Sequence, residues 1–166
     1  MTAIDQRSFR DVMGRFATGV VLVTAVDEDG PVGFAAQSFL SLSLEPPLVG
    51  VCPARTSSSW PRIRSVGHYC INVLGADQEG LCRAFARSGT DKYAGVDWSP
   101  GIDGAPRIAG SLAWIDCALE TEHDAGDHTI AVGRVRTLTT PDGAAADPLL
   151  FFTGAYGRFA AFTGQT

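Results

Sequence analysis

The residues with the clearest chemical potential form a short run of small and hydroxyl side chains. The run comprises Cys52, Pro53, Ala54, Arg55, Thr56, Ser57, Ser58 and Ser59. Backbone N–H groups at the start of a predicted helix attract anions, and the charge of Arg55 would strengthen that attraction. This segment indicates a phosphate site, and simple helix capping by one of the serines explains the same residues equally well.

A second candidate segment lies earlier in the chain, where small and polar residues follow a predicted strand. It comprises Ala35, Ala36, Gln37, Ser38, Phe39, Leu40, Ser41, Leu42 and Ser43. Small side chains let a flat ligand approach the backbone, whose N–H groups can then bond to the edge of a ring system. An ordinary strand with a serine face turned to water is the alternative, and the residues alone favour it.

A third candidate is His128, which follows Gly126-Asp127 at a predicted turn and is considered together with Gly154-Ala155-Tyr156. A histidine there could bond to a cofactor or move a proton, whereas a surface turn histidine is the simpler interpretation. The sequence has no glycine-rich dinucleotide motif, no Walker loop and no nucleophile elbow. No metal site is predicted, because the cysteines and histidines lack the spacing of metal ligands.

Short strands separated by turns must position these candidates. Period-2 patterns and turn residues predict strands at 19–26, 32–36, 39–44, 48–52, 69–74, 112–123, 129–138 and 149–152. Helices are predicted at 5–16, 57–66 and 77–87, with loops over 88–109 and 141–148. Strands and helices do not alternate regularly, which argues against a doubly wound parallel sheet. A mainly β fold, a closed antiparallel barrel with a few peripheral helices, fits best.

Composition limits the possible partners and compartments. The 166 residues fit one domain, 1–166, and carry 13 basic and 18 acidic side chains, a net charge of −5. Because the basic residues are scattered, we expect no nucleic-acid partner and no membrane surface as a partner. The four cysteines lie mostly in apolar runs, as buried thiols do, and no secretory signal is recognisable. We therefore expect a cytoplasmic protein.

An ordered set of motifs lies within residues 9–156, nearly the whole chain. Its pieces are Phe16-x-Thr18-Gly19-Val20, Gly33-Phe34-x-Ala36-x-Ser38-Phe39, Ser41-Leu42-Ser43-Leu44-x-Pro46-Pro47-Leu48-Val49, Asn72-Val73-Leu74, Asp91-Lys92-Tyr93, Gly126-Asp127-His128 and Pro148-Leu149-Leu150-Phe151 leading to Gly154-x-Tyr156. Each piece is weak alone, but the ordered set closely resembles the flavin reductase family. That resemblance implies an FMN-binding split β-barrel, a Greek-key antiparallel barrel.

The resemblance also implies an activity and a set of binding residues. Such proteins are the small reductase components of two-component monooxygenases, and they transfer a hydride from nicotinamide C4 to flavin N5. The flavin, FMN or FAD, would contact Ala35, Ala36, Gln37, Ser38, Phe39, Ser41, Leu42, Cys52, Pro53, Ala54, Arg55, Ser58, Ser59 and Phe85. The nicotinamide cofactor, NADH or NADPH, would contact His128, Phe151, Phe152, Thr153, Gly154 and Tyr156.

His128 is the single catalytic candidate, with a positioning role rather than a proton-transfer role. Family likeness further implies a homodimer and a separate flavin-dependent monooxygenase that receives the reduced flavin. Arg158 is the one basic residue after Tyr156, and a 2′-phosphate would need more positive charge, so NADH is favoured over NADPH.

Three rival functions remain open at this point. A non-enzymatic flavin carrier on the same barrel would have the same binding residues. An oxidase of the pyridoxamine phosphate type would need a more basic phosphate cage than Arg55 alone offers. A ferric reductase activity could accompany the main reaction, because reduced flavin passes electrons to iron without a protein site.

Overall fold

Three short helices and twelve strands are present in the computed structural model, which describes residues 4–89, 91–142 and 147–162. The helices are α1 (Gln6–Met13), α2 (Trp60–Val66) and α3 (Glu79–Phe85), the last preceded by a 3-10 turn at Ala76–Gln78. The strands are β1 (Thr18–Gly19), β2 (Val21–Asp27), β3 (Gly30–Ala36), β4 (Leu40–Leu44), β5 (Pro47–Val51), β6 (His68–Val73), β7 (Trp98–Pro100), β8 (Pro106–Ile108), β9 (Ala113–Ala125), β10 (His128–Thr139), β11 (Leu149–Phe152) and β12 (Ala155–Arg158).

Seven of these strands form one antiparallel sheet in the order β3-β2-β6-β9-β10-β5-β4. Buried apolar residues from six of them meet in a single core, whose members include Val23, Val32, Val51, Ile71, Cys117 and Ala131. Because β3 and β5 come from opposite parts of the sheet and still share one core, the sheet closes around that core as a barrel. The predicted mainly β barrel with peripheral helices is confirmed.

Helix α2 closes one opening of this barrel. Its Trp60 and Ile63 are buried in the barrel core, and the Trp60 ring meets Phe34 and Tyr69 edge to face at 6.2 Å and 6.0 Å. The helix begins at Trp60 rather than at Ser57 as predicted, because the Ser57 hydroxyl accepts the Trp60 N–H and leaves residues 57–59 outside the helix. Residues 57–59 therefore form a turn before the helix rather than its first turn.

The outer face of β2 and β3 carries a second core that supports α3. Val20 and Leu22 pack there with Cys82 and Phe85 of α3 and with Leu149 of β11. The strand predicted at 19–26 is divided at Val20 into β1 and β2, so that β1 pairs with β11 while β2 stays in the barrel. This second core fixes α3 and the β11–β12 hairpin beside β3.

A hairpin of β7 and β8 lies inside the segment 88–109, which the sequence predicts as loops. Buried polar groups hold it on the barrel: the Thr24 hydroxyl donates to the Pro106 carbonyl at 2.6 Å, and Asn72 Oδ1 accepts the Ile108 N–H at 2.7 Å. These partners are more than thirty residues apart, so local sequence patterns cannot reveal them. Of the loop predicted at 141–148, residues 143–146 lie outside the described residues.

No helix in the described ranges combines the length and the apolar character needed to cross a bilayer.

The Arg107–Asp116 pair links this hairpin to β9. Arg107 Nε donates to Asp116 Oδ2 at 3.2 Å, and the Thr137 hydroxyl donates to the same oxygen at 2.6 Å. Burial by itself would raise the pKa of Asp116, but the bonds from Arg107 and Thr137 outweigh burial and hold that pKa below its ordinary value. The pair is therefore stabilising above about pH 4 and loses its effect as the pH falls further.

We expect Asp116→Asn to lower the free energy of unfolding by about 3 kcal/mol at pH 7, because it leaves the Arg107 charge unpaired. The loss should be smaller at pH 3, because there the carboxylate is largely protonated in the unfolded state, whose pKa is about 3.9. Urea unfolding at both pH values measures this, with Asp103→Asn in the exposed turn of the same hairpin as the control. An equal loss at both pH values would contradict the account.

Candidate functional site

The main cavity of the protein, about 1010 Å³, lies between β3, α3 and the segment 52–59. It gathers residues from all three candidate segments of the sequence. The predicted binding residues that line it are Ala35, Ala36, Gln37, Ser38, Cys52, Pro53, Ala54, Ser58, Ser59, Phe85, His128 and Tyr156. The sequence did not single out several other lining residues, among them Phe9, Met13, Arg87 and Lys92.

Backbone hydrogen bonds join the three segments into one wall. The Cys52 N–H donates to the Ser38 hydroxyl at 2.8 Å, which fixes the end of β3 to the end of β5. The Arg55 N–H donates to the Asp127 carbonyl at 2.9 Å, and the Thr129 N–H donates to the Pro53 carbonyl at 3.0 Å. The hydroxyl run and His128 therefore lie side by side, although more than sixty residues separate them along the chain.

Of the four hydroxyl residues at 56–59, two use their hydroxyl groups in hydrogen bonds within the described structure and two do not. Ser57 accepts the Trp60 N–H at 3.1 Å, and Ser59 donates to the Gly33 carbonyl at 2.9 Å. Thr56 and Ser58 are exposed and border the cavity. Within the described part of the chain, the N–H groups of Thr56, Ser58 and Ser59 have no protein acceptor. Three N–H groups and two hydroxyls are thus free to bind an anion.

Lys92, the single lysine of the chain, supplies the positive charge beside this segment. Its Nζ donates to the Gly33 carbonyl at 2.9 Å and lies 3.4 Å from the Ser59 hydroxyl. Lys92 is half-buried, and that burial lowers its pKa. The sequence offered one signal for Lys92, its place in the Asp91-Lys92-Tyr93 motif, but its neighbours are set by the fold.

Arg55, the cation expected at this place, is directed elsewhere. Its Nη2 pairs with Asp124 Oδ1 at 2.5 Å, and the side chain does not line the cavity. The reason is the long hairpin of β9 and β10, which brings Asp124 close to the turn after Ala54. In this structure the cation beside the hydroxyl run is Lys92 and not Arg55.

Three further residues expected beside the flavin also lie outside the main cavity. Phe39 lines a neighbouring cavity of about 560 Å³, whereas Ser41 and Leu42 lie on β4 and line none of these spaces. The physical reason is that β4 continues away from β3 along the edge of β5. The part of the first segment that borders the cavity is therefore 35–38.

The residues expected to hold the nicotinamide are divided between two spaces. Tyr156 borders the main cavity, while Phe151, Thr153 and Gly154 line an adjoining space of about 680 Å³, which we call the α1 groove. The groove lies between α1 and the turn 153–154. Phe152 is 48% exposed and lines neither space, because alternate residues of β11 point in opposite directions.

Tyr156 is held firmly in place. Its hydroxyl lies 3.3 Å from the Cys82 sulfur, the Arg83 guanidinium lies over its ring at 4.6 Å, and the Phe151 ring packs edge to face at 5.1 Å. Burial is the main reason that the pKa of Tyr156 is raised to about 12. The side chain is therefore neutral at physiological pH and presents an aromatic surface to the cavity.

His128 stands at the rim of the cavity and is partly exposed. Its Nδ1 lies 2.8 Å from Asp127 Oδ1, and this bond lowers the pKa of the Asp127 carboxyl. The bond fixes the orientation of the imidazole ring. This geometry is suited to positioning a ligand.

The lining of the main cavity has a charge opposite to that of the protein. The whole chain has a net charge of −5, yet none of the described lining residues is Asp or Glu, and Arg87 and Lys92 are both basic. The described residues also contain no group of three or more potential metal ligands. Such a cavity attracts anions and offers a surface to a flat ring.

The fold and the site together define an antiparallel barrel with a cavity built for a flat, anionic ligand. The family model for the flavin reductase like domain matches residues 13–160, so the chain belongs to that family. It is 51% identical over 154 residues to the reductase subunit HsaB of a flavin-dependent monooxygenase from Rhodococcus jostii, covering 93% of this chain and 78% of that one.

Two further similarities concern the cofactors that relatives use. The chain is 46% identical to the FMN reductase (NADH) SmoA of Agrobacterium fabrum, covering 93% of this chain and 87% of that one. Among solved structures, it is similar to the NADH:FAD oxidoreductase SgcE6 of Streptomyces globisporus, in complex with NAD and FAD fragments. That structure has a TM-score of 0.89 and 38% identity, with 96% of each chain covered.

Gly33 is the point at which β3, α3 and Lys92 meet. A Cβ atom on Gly33 would lie 2.9 Å from Phe85 Cε1, 2.9 Å from the Val23 carbonyl and 3.1 Å from the Tyr93 hydroxyl. We expect Gly33→Ala to lower the free energy of unfolding by about 2 kcal/mol, because the backbone must shift.

Gly80→Ala, on α3 itself, is the matched control, because nothing lies within 4 Å of its added Cβ. This helical substitution should raise stability by about 0.5–1 kcal/mol. Chemical denaturation measures both variants. Equal stability of Gly33→Ala and wild type would mean that Phe85, Val23 and Tyr93 do not pack tightly against Gly33.

Proposed function

We propose that this protein is an NADH-dependent flavin reductase that passes reduced flavin to a separate monooxygenase. The observation that carries the proposal is the carboxylate-free cavity with an anion cluster at one end and a backbone platform of small residues beside it. The anion cluster consists of Thr56, Ser58, Ser59 and Lys92. The platform consists of residues 35–38.

The anion cluster fits the phosphate of a flavin nucleotide. The free N–H groups of Thr56, Ser58 and Ser59 provide hydrogen-bond donors for the phosphate. The Lys92 ammonium, at hydrogen-bond distance from Ser59, adds positive charge. Hydrogen bonds between charged groups are shorter and stronger than neutral ones. Arg55 is not needed, since Lys92 takes the role that the sequence assigned to it.

The platform fits the isoalloxazine ring. Ala35, Ala36 and Ser38 leave the backbone accessible at the end of an edge strand, where β3 has no partner on one side. The Ser38 hydroxyl is occupied by Cys52, so the residue would contribute its backbone rather than its side chain. Phe34 and Phe85 provide apolar surface nearby.

The cofactors would supply the chemistry, which is hydride transfer from nicotinamide C4 to flavin N5 when both are bound. The protein's residues bind and orient the two rings, and such orientation lowers the barrier for transfer. Backbone N–H groups on the unpaired side of β3 would stabilise the negative charge that a reduced ring gains. His128 would position the dinucleotide, and no residue needs to act as a nucleophile.

Relatives guide the choice of cofactors. One relative is named as an FMN reductase and another as an FAD oxidoreductase, and both names specify NADH. We propose NADH as the electron donor and either FMN or FAD as the acceptor. Arg158 is consistent with NADH, because it lines neither the main cavity nor the α1 groove and offers no contact for a 2′-phosphate.

We further propose a homodimer of a single domain. Edge strand β4 exposes Leu40, Leu42 and Leu44 at 45%, 44% and 89%, and such an apolar patch is typical of an interface between copies.

All four cysteines are free thiols, which suits the reducing cytoplasm.

The rival proposal is a flavin carrier without enzymatic activity. The test is oxidation of NADH with FMN or FAD, followed at 340 nm. We expect turnover on the order of 1 to 10³ per second with at least one flavin, as is typical of enzymes. Absence of turnover with both flavins, while both still bind, would favour the carrier.

The phosphate assignment is tested with Lys92→Met and Arg55→Gln. We expect Lys92→Met to raise the dissociation constant of FMN about tenfold, because it removes one charged hydrogen bond to the phosphate. Arg55→Gln is the matched control and should stay within twofold of wild type. Fluorescence titration measures both, and the opposite ranking would restore Arg55 as the phosphate ligand.

A further inference from the structure

Tyr93 lies behind the wall of the main cavity without lining it. Its ring packs edge to face on Phe85, which does line the cavity, with the ring centroids 5.0 Å apart. On its other side the ring meets Trp98 of β7, again edge to face, at 6.4 Å. These contacts explain an aromatic ring at this position, but they do not require a hydroxyl group on it.

The Tyr93 hydroxyl bonds to strand β3 beside the carbonyl that holds Lys92. It donates to the Val32 carbonyl at 2.9 Å, while the Lys92 ammonium donates to the Gly33 carbonyl at 2.9 Å. Two consecutive side chains thus bond to two consecutive carbonyls of β3. Among the described strands, β3 has a partner on one side only, so the segment 91–93 is attached to an edge strand.

The backbone around Tyr93 is held in a turn that transmits this attachment to Lys92. The Tyr93 N–H donates to Asp91 Oδ1 at 3.1 Å, and the Tyr93 carbonyl accepts the Val96 N–H at 3.0 Å. An aspartate that bonds two residues ahead in this way fixes a local turn. Because Lys92 lies between Asp91 and Tyr93 in this turn, the bond from Tyr93 to β3 also fixes the backbone of Lys92.

A lysine depends on such support more than an arginine does. Its ammonium is a point charge at the end of a flexible stem, and it loses much side-chain freedom when it is fixed. The Lys92 Nζ lies 3.4 Å from the Ser59 hydroxyl, so its place in the anion cluster depends on where its backbone is held. Burial raises the pKa of Tyr93, so its hydroxyl stays protonated at physiological pH and remains a donor.

We infer that Tyr93 is a positioning residue for the flavin phosphate. The bond from its hydroxyl to the Val32 carbonyl holds Lys92 against β3, where the ammonium meets the phosphate. The inference rests on the proposed function, which places that phosphate at the anion cluster. Affinity for a phosphate-bearing flavin therefore depends on a hydroxyl group that lies outside the cavity.

The test compares Tyr93→Phe with wild type on two flavins, FMN and riboflavin, which has the same ring and ribityl chain but no phosphate. We expect Tyr93→Phe to raise the dissociation constant of FMN about fivefold, because Lys92 is held less firmly. The dissociation constant of riboflavin should stay within twofold of wild type. Fluorescence titration measures both values.

A double variant tests whether the hydroxyl acts through Lys92. If it does, the two substitutions are not additive, and Tyr93→Phe combined with Lys92→Met should bind FMN within twofold of Lys92→Met alone. Tyr69→Phe is the matched control, because it removes a buried hydroxyl that has no hydrogen-bond partner among the described residues. It should bind both flavins as wild type does.

Three results would overturn the inference. They are an unchanged affinity of Tyr93→Phe for FMN, an equal loss for FMN and riboflavin, and an additive loss in the double variant. An equal loss would mean that Tyr93 only supports the fold of the cavity. If wild type binds FMN but oxidises no NADH with either flavin, the proposed reductase function fails while this inference stands, so the two failures are distinguishable.

Discussion

The close approach at Gly33 is the constraint on which the site depends. Its carbonyl accepts bonds from Ser59 and Lys92, and its missing side chain leaves room for Phe85 and Tyr93. One backbone position thus fixes the distance between strand β3, the hydroxyl segment and helix α3. The anion cluster and the ring platform are built from these same elements, so their spacing is set before any ligand arrives.

The distribution of charge follows from the same architecture. The protein has more acidic than basic residues, and in the described structure six carboxylates outside the cavity are paired with arginines, as in Arg55–Asp124 and Arg62–Asp27. Lys92 has no such partner among the described residues and bonds only to neutral oxygens. An ammonium bonded only to neutral oxygens attracts an anion strongly, because no neighbouring carboxylate offsets its charge. In a surface ion pair the carboxylate cancels much of the attraction of the cation for a second anion.

The sequence predicted those parts of the cavity lining that are contiguous along the chain. Clusters of small and hydroxyl residues drew attention to 35–43 and 52–59, and the family resemblance made the first of them a flavin site; residues 35–38, 52–54 and 56–59 line the cavity. The barrel was predicted because alternating patterns and turn residues depend on local geometry. The same local reasoning predicted α1 and its apolar stripe.

What the sequence did not predict depends on contacts between distant segments. The pairing of Arg55 with Asp124 joins residues 69 apart in the sequence, and Lys92 lies 59 and 33 residues from its partners Gly33 and Ser59, so local patterns reveal neither set of contacts. The β7–β8 hairpin is held by buried side chains of other strands rather than by a local pattern. The fold likewise determines that the apolar stripe of α1 borders a groove rather than the core.

The most direct measurement is the electron density of FMN in crystals of this protein. The account predicts the ring against the backbone of 35–38 and the phosphate within about 3 Å of Lys92 Nζ and of the N–H groups of 56, 58 and 59. A phosphate bound at Arg55, or a ring placed away from β3, would contradict it.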